Sequence, residues 1–172
     1  MVELIKQSIT GQYEAALSML KQRIDVCPDM YWDSLVGQGT IRQDCYHVLF
    51  WLDYYLTPHE DQFKGNEFTV KGGDELLPQI SHGLSREDTL LYVEYCHKKI
   101  VEVLEQETQE SLEGNSGFPS IFRKRPLTRV ELHVYNLRHL QHHMAQVGMA
   151  LRKISDQQQL GLILKWYGTG WY

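Results

Sequence analysis

Residues 128–154, TRVELHVYNLRHLQHHMAQVGMALRKI, indicate most clearly which class of fold this chain adopts. This stretch opens with a capping box, Thr128 followed three residues later by Glu131, in which each side chain satisfies a backbone N–H at the start of a helix. A segment with several Gly and Pro residues, 114–126, comes directly before it and breaks any preceding helix. The pattern therefore predicts a long amphipathic helix from Thr128 to about Ile154.

Two further helices are predicted before residue 60. In the first segment, apolar residues return every three or four positions and predict a helix that ends before Pro28: Leu4, Ile5, Ile9, Tyr13, Ala16, Leu17, Leu20 and Ile24. The second helix begins at another capping box, Thr40 with Gln43. It runs to about Leu56, because Pro58 cannot donate the helical hydrogen bond.

A polar connection that contains several glycines, residues 57–85, precedes the third predicted helix. It has no sustained helical period, although Glu75–Ile80 can make a short turn. Ser85 caps the third helix, and two acidic residues in the first turn interact favourably with the helix dipole. Apolar residues at helical spacing continue this helix to about Gln109.

Four amphipathic helices without a convincing strand pattern predict an all-α fold, a four-helix bundle in which each helix buries its apolar stripe. The long crossover between the second and third helices can return the chain to its starting end and leave these two helices parallel. The length of 172 residues and a hydrophobic fraction of 42% predict one domain, residues 1–172. Trp166-Tyr167 and Trp171-Tyr172 predict a tail docked on the bundle or on a second subunit.

The overall charge argues against a nucleic-acid-binding protein. The formal net charge is −5 and the pI is near 5.9, whereas phosphate binding needs a basic face. The densest basic run, Arg123-Lys124-Arg125, is interpreted as a solvated loop. No secretory signal and no apolar stretch long enough to cross a bilayer is evident, so no membrane contact is expected. Three cysteines without a CxxC pair, Cys27, Cys45 and Cys96, favour a reducing cytoplasm.

Four of the eight histidines lie in the last predicted helix, at positions 133, 139, 142 and 143. His139 and His143 are four residues apart, which places their side chains about 40° apart around the helix and roughly 6 Å apart along it. Such a pair can share a metal ion, although an isolated HxxxH pair is more often bonded to ordinary partners. His47 in the second helix is a candidate third ligand or else a satisfied core residue, because an unpaired ring there is costly to bury.

His47 on the second helix and HLQHHMAQ at residues 139–146 resemble the DinB/YfiT-like superfamily, and the resemblance covers essentially the whole chain. It implies an up-down-down-up four-helix bundle, frequent dimers, and a metal triad that falls on His47, His139 and His143. The resemblance favours His143 over His142 as the metal ligand, and His142 is placed at the rim of the site.

A ferritin-like dinuclear site is an alternative interpretation of the bundle. Such a site needs Glu-x-x-His on two helices and two further glutamates. Glu94 and His97 match this motif, and Asp44 and His47 imitate it, but the further glutamates have no evident positions. The mononuclear site is preferred, because the dinuclear one leaves the two late histidines without a role. Glu94 and His97 are then interpreted as a solvated or capped pair.

Several polar residues are candidates for orienting the ligands. They are Gln43 and Asp44, one helical turn before the second-helix histidine, with Gln146 and His142. Each of them can equally be an ordinary polar helix residue. Met144-Ala145 stands where many members of the superfamily have Arg-Gly, so the residues on the substrate side of the site depart from the family pattern.

Three neutral imidazoles would leave one coordination position open, as in catalytic zinc sites. Imidazole preference ranks zinc first and nickel second, and iron or manganese is compatible. Resemblance to the thiol-dependent transferases of the superfamily implies a metal-dependent S-transferase or hydrolase that acts on a small molecule such as a low-molecular-weight thiol. No residue is assigned as a general base. The rival hypothesis is a non-catalytic stress or interaction protein, in which the ion joins the second helix to the fourth.

Overall fold

The computed structural model describes residues 1–70, 83–118 and 125–165. Helices dominate the described residues, and the predicted all-α class is confirmed. The helices are α1 (Val2–Val26), α2 (Ile41–Leu56), α3 (Arg86–Gln106), α4 (Gln109–Glu113) and α5 (Arg129–Gln158), with 3-10 turns at Asp29–Tyr31 and Glu60–Gln62. A small antiparallel hairpin pairs β1 (Leu35–Val36) with β2 (Gly39–Thr40).

Hydrogen bonds confirm the predicted helix starts. The capping box is complete at both α2 and α5, where Thr40 pairs with Gln43 and Thr128 pairs with Glu131. Ser85 caps α3 through its hydroxyl. Because each such cap contributes about 1 kcal/mol, local sequence determines where the two histidine-bearing helices begin.

Two predicted helix ends differ from the structure. The third helix ends at Gln106, earlier than predicted, because Thr108 starts the separate helix α4 with a capping box of its own. The last helix continues past Ile154 to Gln158 and stops at Gln159, whose φ of 54° lies in the left-handed region.

The β1–β2 hairpin was not predicted from the sequence pattern. It turns through Gly37, whose φ of 59° favours glycine. The backbone N–H groups of Ile41 and Arg42 donate to the carbonyls of Ser34 and Trp32, both at 2.9 Å. These bonds attach the first turn of α2 to the preceding segment, and Trp32 itself is buried in the core. The connection therefore fixes the position of α2.

The four long helices bury a shared apolar core. α1 packs against α3 and α5, and α2 packs against the same two helices. The largest fully buried side chains are Tyr13, Leu17, Leu20, Ile24, Ile41, Tyr46, Leu49, Leu52, Leu56, Tyr92, Ile100 and Leu104. From α5, Leu140, Val147 and Leu151 are fully buried in the same cluster. Since full burial of such a side chain contributes about 1.5–3 kcal/mol, this core holds α2 beside α5.

Contacts between helices show whether two packed helices run in the same direction or in opposite directions. Between α2 and α3, residue numbers rise together from one contact to the next: Tyr46 contacts Tyr92, and Asp53 contacts Lys99. Contacts between α2 and α5 run in opposite order: Asp44 with His143, and Leu56 with Arg129. Contacts between α1 and α3 are also reversed: Lys6 with Glu105, and Lys21 with Glu94.

Arg129 joins the end of α2 to α5. Its buried guanidinium donates to the backbone carbonyls of Tyr55, Leu56 and Thr57 at 3.2, 2.9 and 2.7 Å. It also bonds the carboxylate of Glu107 at 2.8 Å. These carbonyls end a helix and lack intrahelical donors, so Arg129 satisfies them and anchors the two helices to each other.

Some sequence-based predictions fall outside the described residues: the turn at Glu75–Ile80, the aromatic pairs Trp166-Tyr167 and Trp171-Tyr172, and Arg123-Lys124 of the basic run. Arg125 is described, and it is exposed and paired with Glu131. The described end of the tail packs within the subunit, because Gln22 donates to the carbonyl of Ile163 at 2.6 Å.

In the described part of the chain, no helix is both long and apolar enough to span a membrane. Cys27, Cys45 and Cys96 are free thiols, and all three are buried.

Candidate metal centre

His47 lies in the middle of α2, on the side that packs against α5. Its neighbours Tyr46 and Val48 are fully buried, whereas His47 is half-buried. The core residues of α2 fix the rotation of the helix, and this rotation directs His47 towards α5 at the margin between core and solvent.

His139 and His143 lie one turn apart on α5 and face His47. The ring centroids are 4.6 Å apart for His139 and His143, 4.7 Å for His47 and His143, and 5.4 Å for His47 and His139. Each residue offers one ring nitrogen, and these nitrogens all lie within 4.8 Å of one another. Among the described residues this is the one such group of three His, Cys, Asp or Glu side chains. The structure thus brings together the three histidines that the sequence analysis singled out.

The size of this cluster suits a divalent ion. Zinc–imidazole bonds are about 2.0–2.1 Å long, so two imidazole nitrogens on a tetrahedral ion lie about 3.3 Å apart. Since the three nitrogens lie within 4.8 Å of one another, each pair would need to approach by at most about 1.5 Å to reach that separation. In addition, Nδ1 of His139 is buried and has no hydrogen-bond partner. Such an orphaned nitrogen costs free energy, and side-chain rotation onto an ion or a water would relieve that cost.

Asp44 holds the ring of His143. Its Oδ1 lies 2.8 Å from Nδ1 of His143, and the two residues are only 2% and 7% exposed. A carboxylate at Nδ1 keeps the proton there, which leaves the lone pair of Nε2 free to face the other two rings. Asp44 therefore has the contact that a ligand-orienting residue needs.

The environment of His139 keeps its ring neutral. Burial, followed by the neighbouring rings of His143, His47 and His142, lowers the pKa of His139 from 6.5 to about 3. A neutral imidazole has the lone pair that a metal ion requires. At neutral pH a cation would therefore not have to displace a proton from His139.

The other predicted orienting residues occupy different environments. The side-chain oxygen of Gln43 accepts the N–H of Thr40 at 2.8 Å, so this atom serves the capping box. His142 is exposed, and its ring centroid lies 5.1 Å from that of His143. Gln146 is half-buried, one turn after His143.

The residues of the dinuclear alternative are engaged elsewhere. Glu94 pairs with Lys21 at 2.6 Å, and His97 lies 3.1 Å from the carboxylate of Glu14. Both partners belong to α1. The Glu94-x-x-His97 motif therefore joins α3 to α1, and among residues 1–70, 83–118 and 125–165 it forms no cluster of three metal-ligating side chains.

Aromatic rings border the cluster, and the sequence analysis did not single them out. Trp51, one turn after His47, meets its ring edge-on with centroids 6.2 Å apart. Tyr135, one turn before His139, lies parallel to its ring at 6.4 Å. Both aromatic residues are four positions from a histidine and so share its helix face. This spacing is the signal by which the sequence could have identified them.

A family model described as the DinB superfamily matches residues 12–147, a span that contains all three histidines and Asp44. No curated protein and no solved structure matches the chain. The family match covers most of the sequence and confirms the relationship that the histidine pattern predicts. The chain therefore belongs to the DinB superfamily.

Proposed function

We propose that this chain binds one divalent metal ion through His47, His139 and His143. The observation that carries the proposal is the cluster itself, whose three ring nitrogens lie within 4.8 Å of one another. The buried carboxylate of Asp44 on His143 supports it further. Imidazole ligands favour zinc first and nickel second, and iron or manganese is compatible.

We propose in addition that the site is catalytic. A divalent ion with three neutral ligands and an open position supplies a Lewis acid that lowers the pKa of a bound water or thiol. The chain contributes the orientation of His143 through Asp44, the neutrality of His139, and exclusion of water on the core side of the cluster. We infer a thiol-dependent S-transferase or a hydrolase, with a small-molecule substrate such as a low-molecular-weight thiol, and assign no general base.

Metal analysis of the purified protein tests the ligand assignment. We expect one equivalent of metal in the wild type and its loss in His47→Ala, His139→Ala and His143→Ala. His142→Ala is the matched control, because it removes an exposed imidazole from the same helix beside the cluster, and it should keep the metal. Stoichiometric metal in all three ligand variants would show that the assignment is wrong.

A turnover assay tests the catalytic part of the proposal. Low-molecular-weight thiols are combined with electrophilic acceptors, and simple esters serve as hydrolase substrates. We expect a rate that requires the metal and is lost in His139→Ala but kept in His142→Ala. Bound metal with no turnover of either substrate class would argue for a non-catalytic role.

The second candidate function is a non-catalytic stress or interaction protein stabilised by the ion. It is favoured by the fact that the cluster draws its rings from two helices, α2 and α5. An ion bound by all three rings would link α2 to α5, and its binding free energy would contribute to the stability of the fold.

We propose a single domain over residues 1–172, with four helices in up-down-down-up order. The contacts support this topology, since residue numbers rise together along α2 and α3 but run in opposite directions along α2 and α5 and along α1 and α3.

We also propose a homodimer in the cytoplasm, a compartment that suits three free, buried cysteines. Light scattering after size exclusion measures the subunit number.

A further inference from the structure

Five rings beside the three-histidine cluster form a contiguous group, called here the aromatic surface: Trp51, Tyr54, Tyr55, Phe118 and Tyr135. Neighbouring ring centroids within it are 5.0 to 5.6 Å apart. Trp51 and Tyr55 are stacked, and the other neighbouring rings meet edge to face. Phe118 is buried, but the other four rings are only half-buried. The four half-buried rings therefore keep part of their surface accessible to a ligand.

We propose that the aromatic surface binds a flat apolar group of the molecule whose anionic end is held at the three-histidine site. The substrate is then a small anion, such as a thiolate, that carries an aromatic or similarly planar group. This inference rests on the proposed metal site and specifies the class of substrate that the site takes.

The aromatic surface is continuous with the cluster along both helices. On α2, His47 is followed by Trp51 and then Tyr55 at intervals of one turn, and on α5 Tyr135 precedes His139 by one turn. The rings of Trp51 and Tyr135 lie beside the histidine rings, with centroids 6.2 and 6.4 Å apart. One helical turn is about 5.4 Å, which is the span between an anionic head group and the ring attached to it.

The charges next to the three-histidine cluster suit an anion, whereas Glu60 places a carboxylate beside Tyr54, another ring of the aromatic surface. Three neutral imidazoles leave the charge of a divalent ion uncompensated. The guanidinium of Arg138 lies 5.4 Å from the centre of the Tyr135 ring and adds a positive charge at the surface margin. Burial raises the pKa of Tyr55, so its phenol stays neutral.

Two ligands that differ only in their ring test this inference on the zinc-loaded full chain. Benzohydroxamate and cyclohexanecarbohydroxamate carry the same metal-binding group, but the first ring is flat and the second is not. The cyclohexyl ring is at least as hydrophobic, so a preference for the phenyl ring reports stacking. By calorimetry we expect the wild type to bind benzohydroxamate about tenfold more tightly, in line with stacking on two rings.

The variants Trp51→Leu and Tyr135→Leu should each reduce this preference to about twofold or less, with zinc still at one equivalent. Tyr95→Leu is the matched control, because it removes a half-buried tyrosine of α3 that contacts Phe68 and Tyr92 instead. It should keep the full preference. If one ring variant does not fold, the other variant and the wild-type comparison still decide the question.

Three results would overturn the inference in distinguishable ways. Equal affinities for the two hydroxamates on zinc-loaded wild type contradict the aromatic surface and leave the metal site standing. Absence of zinc from the wild type contradicts both proposals. The third result has two parts: the wild type is a dimer that binds both hydroxamates equally, and Trp51→Leu is a monomer. It would identify the aromatic surface as a contact between two copies of the chain.

Discussion

Replacing Asp44 by alanine should weaken zinc binding although Asp44 itself does not touch the ion. The substitution removes the carboxylate that lies 2.8 Å from Nδ1 of His143. Both side chains are more than nine-tenths buried, so water cannot easily replace the lost partner, and a buried unpaired N–H costs about 1–3 kcal/mol. Loss of such a carboxylate typically lowers metal affinity by about 10–100-fold. This range corresponds to about 1.4–2.8 kcal/mol.

Competition with a chromophoric chelator at pH 7.5 measures the zinc Kd of each variant. Asp44→Asn should lose less affinity than Asp44→Ala, because its amide oxygen can still accept the bond from His143. Asp61→Ala is the matched control, since Asp61 forms a carboxylate–imidazole pair with His59 at 2.5 Å on the protein surface. It should leave the Kd unchanged.

Two outcomes would refute this reasoning. A folded Asp44→Ala protein whose Kd changes by less than about twofold would show that His143 needs no orienting partner. Equal weakening in Asp44→Ala and Asp61→Ala would show that zinc responds to overall charge rather than to the bond with His143.

Three other predictions concern stability. Arg129→Ala should lower the free energy of unfolding by about 3–5 kcal/mol in urea denaturation, because it removes the positively charged partner of the buried Glu107 carboxylate and the donor to three carbonyls at the end of α2; a loss below about 1 kcal/mol would contradict this. Burial alone would raise the pKa of Glu107, but bonds from His133, Ser111 and Arg129 lower it from 4.5 to about 2. Because the folded value lies below the unfolded one, this carboxylate stabilises the fold above pH 4.5, and its contribution is lost as the pH falls towards 2. Unfolding followed by circular dichroism should therefore show that the free energy of unfolding depends less on pH over that interval in Glu107→Gln than in the wild type. An unchanged pH dependence would contradict the stabilising role of this carboxylate. Zinc at about 100 times its Kd should add about 2.7 kcal/mol and raise Tm by about 5–10 °C in calorimetry, whereas His139→Ala should show no shift.

The candidate site was predictable where local spacing defines it. His139 and His143 share a helix face because a four-residue interval nearly completes one turn, and the structure places their rings 4.6 Å apart. The sequence could name His47 as a third member only through the resemblance to a family. Helix packing between α2 and α5, which no local pattern encodes, brings its ring within 4.7 Å of His143.

Other features were not predictable because they depend on contacts between distant residues. The sequence suggested Asp44 as one of four candidates for orienting a ligand, and its bond spans 99 positions to His143. The sequence pattern gives Arg129 no special role, since it is a basic residue in a first helical turn. In the structure it donates to three backbone carbonyls at the end of α2. The aromatic surface likewise requires Phe118 to reach Tyr54 and Tyr55 from a different segment.

Local residues alone place the starts of α2 and α5, since the capping boxes at Thr40 and Thr128 act within four residues. Local spacing also places two histidines on one face of the last helix. Which side chains meet across helices depends instead on how the helices pack. Such contacts follow from burying one apolar core, because the core sets the position and rotation of α2 against α5 and so brings Asp44 and His47 to His143.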